Sequence, residues 1–417
     1  MIGNVLVAQS GGPTSVINAS LVGVVQKAKE LGVQRIFGGL NGIEGILQEK
    51  LVVLSAEHPA DIEAVQYRPG AILGGCRYQI KDPKPEGSEL KRLFSILKKY
   101  DIRYFFYIGG NDSMDTAQKI HVAAQKLKVD LRVIGVPKTI DNDLFGTDHC
   151  PGFGSCAKYL ITSVVEAGIH TASMYTAEPV TILVTVGRNA GWLAGACGLA
   201  RREKNEAPHI VLFPEIPFEE DRFLEKVKSV YEEVGGVFIV TGEGLRSRAG
   251  TYITARYDGL STDAFGHPLL GDVPITLKHL IEENLRLRTR WIKPDICQQA
   301  ALHMASRVDL EEARMCGESA VQLAVQNGES GYMVTIERVE GRGDTTYASR
   351  CGKVPLSAVA NVDRYVPRHF IDTEGFFPSE EFLHYANPLI QGEVPIRMKD
   401  GFPYYPTLRL EHVRYPE

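Results

Sequence analysis

The sequence predicts an α/β fold with mainly parallel sheets, and two observations support this prediction. Apolar strand candidates without polar alternation recur along the first 245 residues, which is typical of strands buried on both faces of a sheet. Segments with helical spacing of apolar residues lie between them, as in the units that connect parallel strands. We therefore expect two such sheets, in two lobes packed together.

The expected strands and helices alternate from the N-terminus. A first strand at 4–8 is broken by Gly11, Gly12 and Pro13, and a helix follows over 15–31. The same reasoning gives strands at 104–108, 131–136, 180–186, 209–213 and 236–241, and helices at 113–127, 154–170, 190–201 and 219–233. The stretch 262–325 is expected to be mainly helical and 331–337 to be a late strand. The residues after about 350 are rich in Pro, Gly and aromatic residues and are expected to wrap the surface.

The composition is that of a globular chain with more than one domain. The chain has 417 residues, of which 44% are hydrophobic and 23% charged, which predicts two or three domains and argues against long disorder. A net charge of −5 without a basic stripe argues against nucleic acid as a partner. No apolar run reaches the roughly 18 residues of a membrane helix, and the N-terminal sequence indicates a strand rather than a signal peptide. Seven scattered cysteines without a CxxC pair are typical of a reducing compartment, so we expect a cytoplasmic protein without a membrane partner.

Glycine and charged residues gather where the predicted strands end. The five strand ends carry GGP (11–13), GGNDS (109–113), PKTIDNDL (137–144), VGRNAGW (186–192) and TGEG (241–244). Ligands of open parallel sheets bind at the carboxyl ends of strands, and glycine pairs let backbone amides approach an anion. The sequence therefore predicts an anion site formed at these ends.

The residue types at these ends indicate phosphoryl transfer. Its transition state spreads negative charge over oxygen atoms, so catalysis needs cations, amide donors and one base. Asp141 and Asp143 are expected to alternate along an extended segment, so that one faces the acceptor and the other a Mg²⁺ ion. No GxxxxGK[ST] motif indicates a P-loop, and neither HExxH nor CxxC indicates zinc.

The same stretches resemble the phosphofructokinase family from about residue 4 to about residue 320. The motifs that carry the resemblance are SGGPTSVINA, GLNGIEGIL, ILGGCRY, IGGNDSMDTA, VPKTIDNDLFGTD, GFGSCAKY, VGRNAGWLA and VTGEG. The most specific is TIDND after a buried strand. The resemblance implies two Rossmann-like α/β lobes with mainly parallel sheets and the active site in the cleft between them.

The resemblance also implies a domain division and an assembly. Residues 1–150, completed by about 297–350, are implied to bind the phosphoryl donor, and 151–296 the sugar phosphate, with 351–417 as a C-terminal extension. A homodimer or homotetramer is implied, with Arg290 as the candidate for a residue donated to a neighbouring site.

Individual roles follow from the same resemblance. Asp141 is implied to be the base that takes the proton from the sugar's 1-hydroxyl, with Lys138, Asp112, Thr139 and Arg188 as further catalytic residues. The implied sugar-phosphate residues are Thr139, Asp141, Val186, Gly187, Arg188, Glu243, Arg290 and Gln299. The implied donor-binding residues are Gly11, Gly12, Arg77, Tyr78, Gly110, Asn111 and Ser113. The implied cofactor is Mg²⁺, at Asn111 and Asp143.

Two positions bear on the donor. ATP-using members of the family resemble this chain but carry glycine in place of Asp112 and Lys138. A carboxylate at Asp112 would repel a nucleotide's α-phosphate, and Lys138 adds a cation near the transferring phosphate. The pair is similar to that of the pyrophosphate-dependent branch. This implies reversible transfer from inorganic diphosphate to fructose 6-phosphate, giving fructose 1,6-bisphosphate and phosphate, in glycolysis or gluconeogenesis.

The chain also departs from the family pattern. Asn111 stands where many members have a metal-binding aspartate, and Gln299 where an arginine is expected. Three alternatives stay open: an ATP-dependent 6-phosphofructokinase, sedoheptulose 7-phosphate as the main acceptor, and an inactive relative that binds sugar phosphates. Val22 and Gln26 replace basic effector-binding residues of bacterial ATP-dependent enzymes, so little nucleotide control is expected.

Overall fold

The computed structural model describes residues 3–81, 84, 87–256, 272–340 and 347–413. The chain divides into two compact units. The first unit contains Met1–Ser155, Gln299–Asp363 and Gly392–Glu417, and the second contains Cys156–Gln298 and Arg364–Gln391.

Strands and helices alternate along most of the described chain. The strands are β1 (Asn4–Gln9), β2 (Ile36–Gly39), β3 (Leu51–Val53), β4 (Ile102–Gly109), β5 (Arg132–Pro137), β6 (Val180–Val184), β7 (Ile210–Leu212), β8 (Val237–Thr241), β9 (Thr289–Ile292), β10 (Tyr332–Glu340), β11 (Tyr347–Pro355), β12 (Met398–Lys399) and β13 (Phe402–Pro403). The α-helices are α1 (Ile17–Glu30), α2 (Gly42–Leu47), α3 (Pro59–Ala64), α4 (Ser88–Lys99), α5 (Asn111–Lys126), α6 (Phe153–Ser173), α7 (Trp192–Ala196), α8 (Glu220–Val234), α9 (Val273–Leu285), α10 (Ile296–Ala300), α11 (Arg307–Val321), α12 (Leu356–Val359) and α13 (Glu380–Ala386).

The first unit is built on a seven-stranded sheet with the strand order β11-β10-β5-β4-β1-β2-β3. The five inner strands are parallel, and β3 and β11 at the two edges are antiparallel to their neighbours. Strand β4 is almost wholly apolar because helices cover both faces of the sheet. Its aromatic and β-branched residues suit a pleated, buried surface. Strands β5, β4 and β1 are adjacent, so their carboxyl ends lie side by side.

Helix α4 shows how the sequence pattern covers this sheet. Leu90, Leu93, Phe94 and Leu97 follow the spacing of one helical face and are all buried. They pack in the same apolar cluster as Phe105 of β4. The opposite face is charged and exposed, so the helix is amphipathic.

The second unit is built on a four-stranded, wholly parallel sheet with the order β7-β8-β6-β9. Its core combines β-branched strand residues with Phe223 and Val227 of α8 and Leu277 and Ile281 of α9. Helix α8 ends at Gly235, whose φ of 83° is the left-handed conformation that glycine accommodates best at a helix end.

The α/β class and the two units with mainly parallel sheets are confirmed. The prediction of a mainly helical stretch over 262–325 is wrong at Thr289–Ile292, which form β9; residues 262–271 lie outside the described residues. The predicted helix at 190–201 is shorter, because α7 ends at Ala196 and a 3-10 turn over Cys197–Ala200 follows. Strands β2 and β3 were not predicted, because they are only four and three residues long.

The residues after 350 are integrated into the two units. Cys351 and its neighbours form β11 in the first sheet, antiparallel to β10. Residues 364–391 belong to the second unit, where Trp192 Nε1 donates to Arg364 O at 3.0 Å and the Trp192 ring packs against Phe382. In the first unit, His412 forms an isolated antiparallel bridge with Val52. No helix among the described residues is long and apolar enough to cross a membrane.

Candidate active site

The turn after β1 brings the backbone close to a buried lysine. Gly11 has a φ of 73°, and its amide donates to Cys76 O at 3.0 Å. A β-carbon at Gly11 would lie 3.1 Å from Lys138 Nζ. Glycine is therefore required here both for the backbone conformation and for the close approach of the lysine.

Lys138 follows β5 and is only 4% exposed. Its amide donates to Gly109 O at 3.0 Å, which continues the β4–β5 pairing, and its Nζ donates to Gly12 O at 2.7 Å. Burial lowers the pKa of Lys138 to about 8, an effect that the charges of Asp141 and Asp143 partly offset. The structure thus holds a cation directly against the glycine turn.

The segment after Lys138 is a turn and not an extended strand. Thr139 pairs with Gly152, and its Oγ1 accepts from Asp141 N at 3.1 Å. Asn142 has a φ of 56°, and its Oδ1 accepts from Cys150 N at 2.9 Å. The prediction that Asp141 and Asp143 alternate along an extended segment is therefore wrong, because a left-handed residue lies between them.

Asp143 lies among other carboxylates. Burial raises the pKa of Asp143 to about 7, with the charges of Asp141 and Asp363 acting in the same direction and Lys138 opposing them. Asp363 reaches this place because it forms an antiparallel bridge with Leu144. Sequence reasoning missed Asp363, since nothing in the sequence pairs it with the acidic loop. An excess of negative charge here favours a cation.

Asn111 and Asp143, the two predicted Mg²⁺ ligands, differ in how well they can bind a metal ion. Asn111 Oδ1 accepts from Asn361 N at 2.7 Å, so one lone pair of that oxygen is already engaged. Among the described residues no group of three or more His, Cys, Asp or Glu residues could hold a metal ion by itself. Carboxylate oxygens nevertheless fit Mg²⁺, which takes one or two carboxylates and completes its shell with phosphate oxygens and water. Asp143 fits this role better than Asn111.

The remaining residues that the sequence predicts to bind the donor lie at the start of α5 and in the loop before α4. Gly110 precedes α5, and the amide of buried Ser113 donates to its carbonyl oxygen at 3.0 Å. Asp112 Oδ1 accepts from Gln79 Nε2 at 3.4 Å. The hydroxyl of Tyr78 donates to Glu89, which raises the pKa of Tyr78 to about 12.

Adjacency of the strands explains why these residues meet. The residues after β1, β4 and β5 lie at the same edge of the first sheet, as expected for parallel strands. Exposed Arg77 is near enough for its charge to lower the pKa of Lys138. Gln299 is also in the first unit, with its Oε1 3.4 Å from where a β-carbon of Gly12 would lie.

In the second unit, two predicted segments meet at the carboxyl edge of the sheet. Gly187 has a φ of 115°, and the backbone amide of Val186 donates to Gln298 Oε1 at 3.3 Å. A β-carbon at Gly244 would lie 1.4 Å from Arg188 O, so glycine is needed for the two loops to touch. Arg188 and Glu243 are thereby placed on neighbouring loops after β6 and β8.

Sequence reasoning missed Lys293 at this edge, and Arg290 lies away from the edge. Lys293 follows β9, and its Nζ lies 3.4 Å from Glu243 Oε1. Because β9 was not predicted, no signal marked Lys293 as a residue after a strand. Arg290 lies within β9 opposite Thr181 and pairs with Glu178, and its side chain is 57% exposed. The structure therefore does not bring Arg290 to the carboxyl edge within one chain.

Helix α11 supports the loop that carries Asp141. Asp309 accepts from Gly152 N at 2.8 Å and from Ser155 N at 2.9 Å. Glu312, one turn later, contacts His149 Nε2 at 2.6 Å. Burial alone would lower the pKa of His149, but the charge of Glu312 and the hydrogen bonds to Asp148 and Glu312 raise it to about 9. Two carboxylates on one helical face thus hold residues 148–155.

These features define an α/β phosphotransferase whose parallel strands end in glycine turns, buried cations and carboxylates. The chain belongs to the phosphofructokinase family, whose model, described as Phosphofructokinase, matches residues 4–324.

Similar proteins cover almost the whole chain. A pyrophosphate–fructose 6-phosphate 1-phosphotransferase of Xanthomonas campestris pv. campestris is 41% identical over 98% of this chain and 96% of its own. A sulfofructose kinase of Alkalicoccus urumqiensis is 33% identical over 88% of this chain and 92% of its own. The crystal structure of a pyrophosphate-dependent phosphofructokinase from Nitrosospira multiformis superposes with a TM-score of 0.89, at 38% identity, and covers 100% of this chain and 99% of that one.

Proposed function

We propose that this protein catalyses reversible transfer of a phosphoryl group from inorganic diphosphate to the 1-hydroxyl of fructose 6-phosphate. The products are fructose 1,6-bisphosphate and phosphate. The observation that carries the proposal is Lys138, a buried ammonium that donates to Gly12 O beside the glycine turn. Diphosphate has no nucleoside to anchor it, so charge complementarity at this turn must hold it. The names of the relative from Xanthomonas campestris and the structure from Nitrosospira multiformis support the same donor.

The donor and the acceptor are bound by different parts of the chain. The donor occupies the turn formed by Gly11 and Gly12 with Gly110, Asn111 and Ser113, and Arg77 and Tyr78 flank it. Lys138 places its charge on the phosphoryl group that is transferred, where negative charge accumulates in the transition state. Asp112 at the first turn of α5 disfavours a nucleotide, because a further phosphate would lie against its carboxylate.

Asp141 acts as the general base on the acceptor. It takes the proton of the 1-hydroxyl as that oxygen attacks phosphorus, and in the reverse direction it returns the proton. Its backbone amide is fixed by Thr139 Oγ1 at 3.1 Å, which orients the carboxylate. The sugar phosphate is bound by Val186, Gly187, Arg188 and Glu243, with Lys293 as an added cation beside Glu243 at 3.4 Å. Gln299 and an Arg290 from a neighbouring subunit complete the set.

Mg²⁺ is the cofactor of this proposal. When bound, it supplies positive charge to the oxygens of diphosphate. Asp143, in the loop after β5, is the residue of this chain that would hold it, and Asn111 lies at the start of α5. Neither residue needs to move a proton during the reaction.

One relative and one residue favour acceptors other than fructose 6-phosphate as alternatives. The relative from Alkalicoccus urumqiensis is named for sulfofructose, and Gln299 stands where an arginine is expected in the family. A neutral amide in place of a cation lowers the preference for a doubly charged phosphate at that position. Sulfofructose and sedoheptulose 7-phosphate are therefore the acceptors to compare with fructose 6-phosphate.

We also propose that the protein is a homo-oligomer in the cytoplasm. None of the seven cysteines forms a disulfide and five of them are buried, as expected in a reducing compartment. Arg290 is exposed on the surface of the second unit and can serve a site of a neighbouring subunit.

The test compares donors. The purified protein, fructose 6-phosphate and Mg²⁺ are mixed with either diphosphate or ATP, and fructose 1,6-bisphosphate is measured. Turnover with diphosphate and not with ATP is expected. The variant with Asp112→Gly and Lys138→Gly is expected to lose the diphosphate reaction. Turnover of the parent with ATP that improves in this variant would refute the donor assignment. Inactivity with both donors and all three acceptors would favour a non-catalytic sugar-phosphate-binding protein.

A further inference from the structure

The start of helix α5 is tied to a distant segment by the side chain of Asn111. Its Oδ1 accepts from Asn361 N at 2.7 Å, and its Nδ2 donates to Val362 O at 3.0 Å and to Asp363 Oδ1 at 3.1 Å. One turn further along α5, Asp115 Oδ1 accepts from Asn361 Nδ2 at 3.1 Å. These hydrogen bonds fix residues 361–363 against the end of the helix where the donor is proposed to bind.

Fixing this segment places the Asp363 carboxylate beside the acidic loop after β5. Asp363 forms an antiparallel bridge with Leu144, so its backbone lies alongside the residue that follows Asp143. Asp363 is only half-buried, and a ligand can therefore reach it from solvent.

We propose that Asp363 is a cation-binding residue of the donor site and that Asn111 positions it, an inference that rests on the proposed function. Asp143 and Asp363 then supply the two carboxylates that Mg²⁺ accepts beside phosphate oxygens and water. Asn111 has a neutral oxygen that already accepts from Asn361, so its part is to hold Asp363 in place.

The geometry also explains why residue 111 is an amide. An aspartate at this position would lie at hydrogen-bond distance from Asp363 without a donor between them, and the two carboxylates would repel each other in the absence of a cation. Asparagine donates to Asp363 Oδ1 instead. The two side chains are therefore complementary, and exchanging them should preserve one amide and one carboxylate.

The test exchanges the two side chains in the full-length protein. Asp363→Asn, Asn111→Asp and the double variant are compared with the parent for binding of Mn²⁺, used in place of Mg²⁺, with and without inorganic diphosphate. Free Mn²⁺ is followed by electron paramagnetic resonance. Asp363→Asn is expected to bind Mn²⁺ about tenfold more weakly or worse, and the double variant, which again has one carboxylate in this pair, to bind within about threefold of the parent. Asn111→Asp alone is expected to bind Mn²⁺ no more weakly than the parent, because a cation can lie between its two carboxylates. Asp115→Asn removes a negative charge from the same helix but keeps an oxygen that can accept from Asn361 Nδ2, and it is expected to bind Mn²⁺ like the parent.

The outcomes are distinguishable. Parental Mn²⁺ binding by Asp363→Asn would overturn the inference, and so would a double variant that binds Mn²⁺ no better than Asp363→Asn. If Asn111→Asp does not fold, Mn²⁺ binding by Asp363→Asn is compared with Mn²⁺ binding by Asp363→Glu. Only Asp363→Glu keeps a carboxylate, so it should bind Mn²⁺ more tightly. A parent that does not use diphosphate, with Mn²⁺ binding that still falls in Asp363→Asn, would refute the proposed function alone. An active parent with Mn²⁺ binding unchanged in Asp363→Asn would refute this inference alone.

Discussion

Asp141 is the residue on which the proposed chemistry most depends. Its position is fixed from two sides, by Thr139 Oγ1 on its own amide and by Asn142, which turns the chain directly after it. A base held in this way contributes to the transition state and little to ground-state binding. Kinetic constants of single-residue variants can therefore separate its role from those of its neighbours.

Asp141→Asn is expected to lower kcat by at least about 100-fold while leaving the KM for fructose 6-phosphate nearly unchanged. The reason is that an amide keeps the shape and polar contacts of the side chain but cannot take a proton. Steady-state kinetics of both directions check this. A kcat within a few-fold of the parent would rule out Asp141 as the base.

Lys138→Met is expected to lower kcat with diphosphate by about 100-fold and to change the KM for diphosphate less, because its charge acts mainly in the transition state. The pH profile provides a second readout. With a pKa of about 8, Lys138 carries its charge below pH 8 and loses it above, so kcat/KM for diphosphate should fall on the alkaline side. This decline should disappear in Lys138→Met, while the titration of diphosphate itself remains common to both proteins. Equal losses in kcat and in affinity would mean that Lys138 only anchors the donor.

Helix α11 holds the acidic loop in place. Its acidic residues Asp309 and Glu312 lie one turn apart on one face, and both are buried. Asp309 binds the first amides of α6, while Glu312 contacts His149. The loop with Asp141 is therefore fixed by a helix far away in the sequence.

Asp309→Asn is expected to lower the free energy of unfolding by about 1–3 kcal/mol, because an amide can accept from only one of the two backbone N–H groups and leaves the other unsatisfied. Chemical denaturation measures this change. Glu311→Gln, on the exposed side of the same helix, is the matched control and should be neutral within about 0.5 kcal/mol. Equal stability of the two variants would contradict the role given to Asp309.

The His149 contacts predict a pH dependence of stability. The pKa of His149 is about 9 in the folded protein and about 6.5 in the unfolded chain, so the folded state holds its proton more tightly. The resulting stabilisation, about 3 kcal/mol, is fully present below pH 6.5 and is lost as the pH rises through 9. The free energy of unfolding, measured from pH 6 to pH 10, should show this decline in the parent and a shallower decline in His149→Gln. Parallel curves for the two proteins would contradict the stabilising role given to the His149 contacts.

The exposed position of Arg290 on the second unit leads us to predict that subunits share active sites. Arg290→Ala and Asp141→Asn are each expected to be nearly inactive, because each removes one group from every site. Subunits mixed one to one should recover about a quarter of the parental activity in a dimer, because half of the dimers are hybrids with one intact site. No recovery after confirmed subunit exchange would mean that Arg290 serves its own chain or none.

Much of the site could be predicted because it lies in short segments after strands. The glycine turns, Lys138 and the TIDND motif each follow an apolar strand candidate directly in the sequence, which indicates a strand end. Lys293 could not be recognised because β9 is only four residues long and follows a long helix. Asp363, Asp309 and Glu312 could not be assigned because their partners are distant in the chain.

The α/β class, the order of the main strands and the residue types at their ends could be predicted, because periodicity and glycine placement are local properties of the chain. The loop that each carboxylate contacts is known only from the folded chain. The left-handed turn at Asn142, the tether between Asn111 and Asp363 and the hold of α11 on residues 148–155 depend on segments that meet only after folding. Hydrogen bonds and charges act over a few ångströms in space, and distance along the chain does not record that proximity.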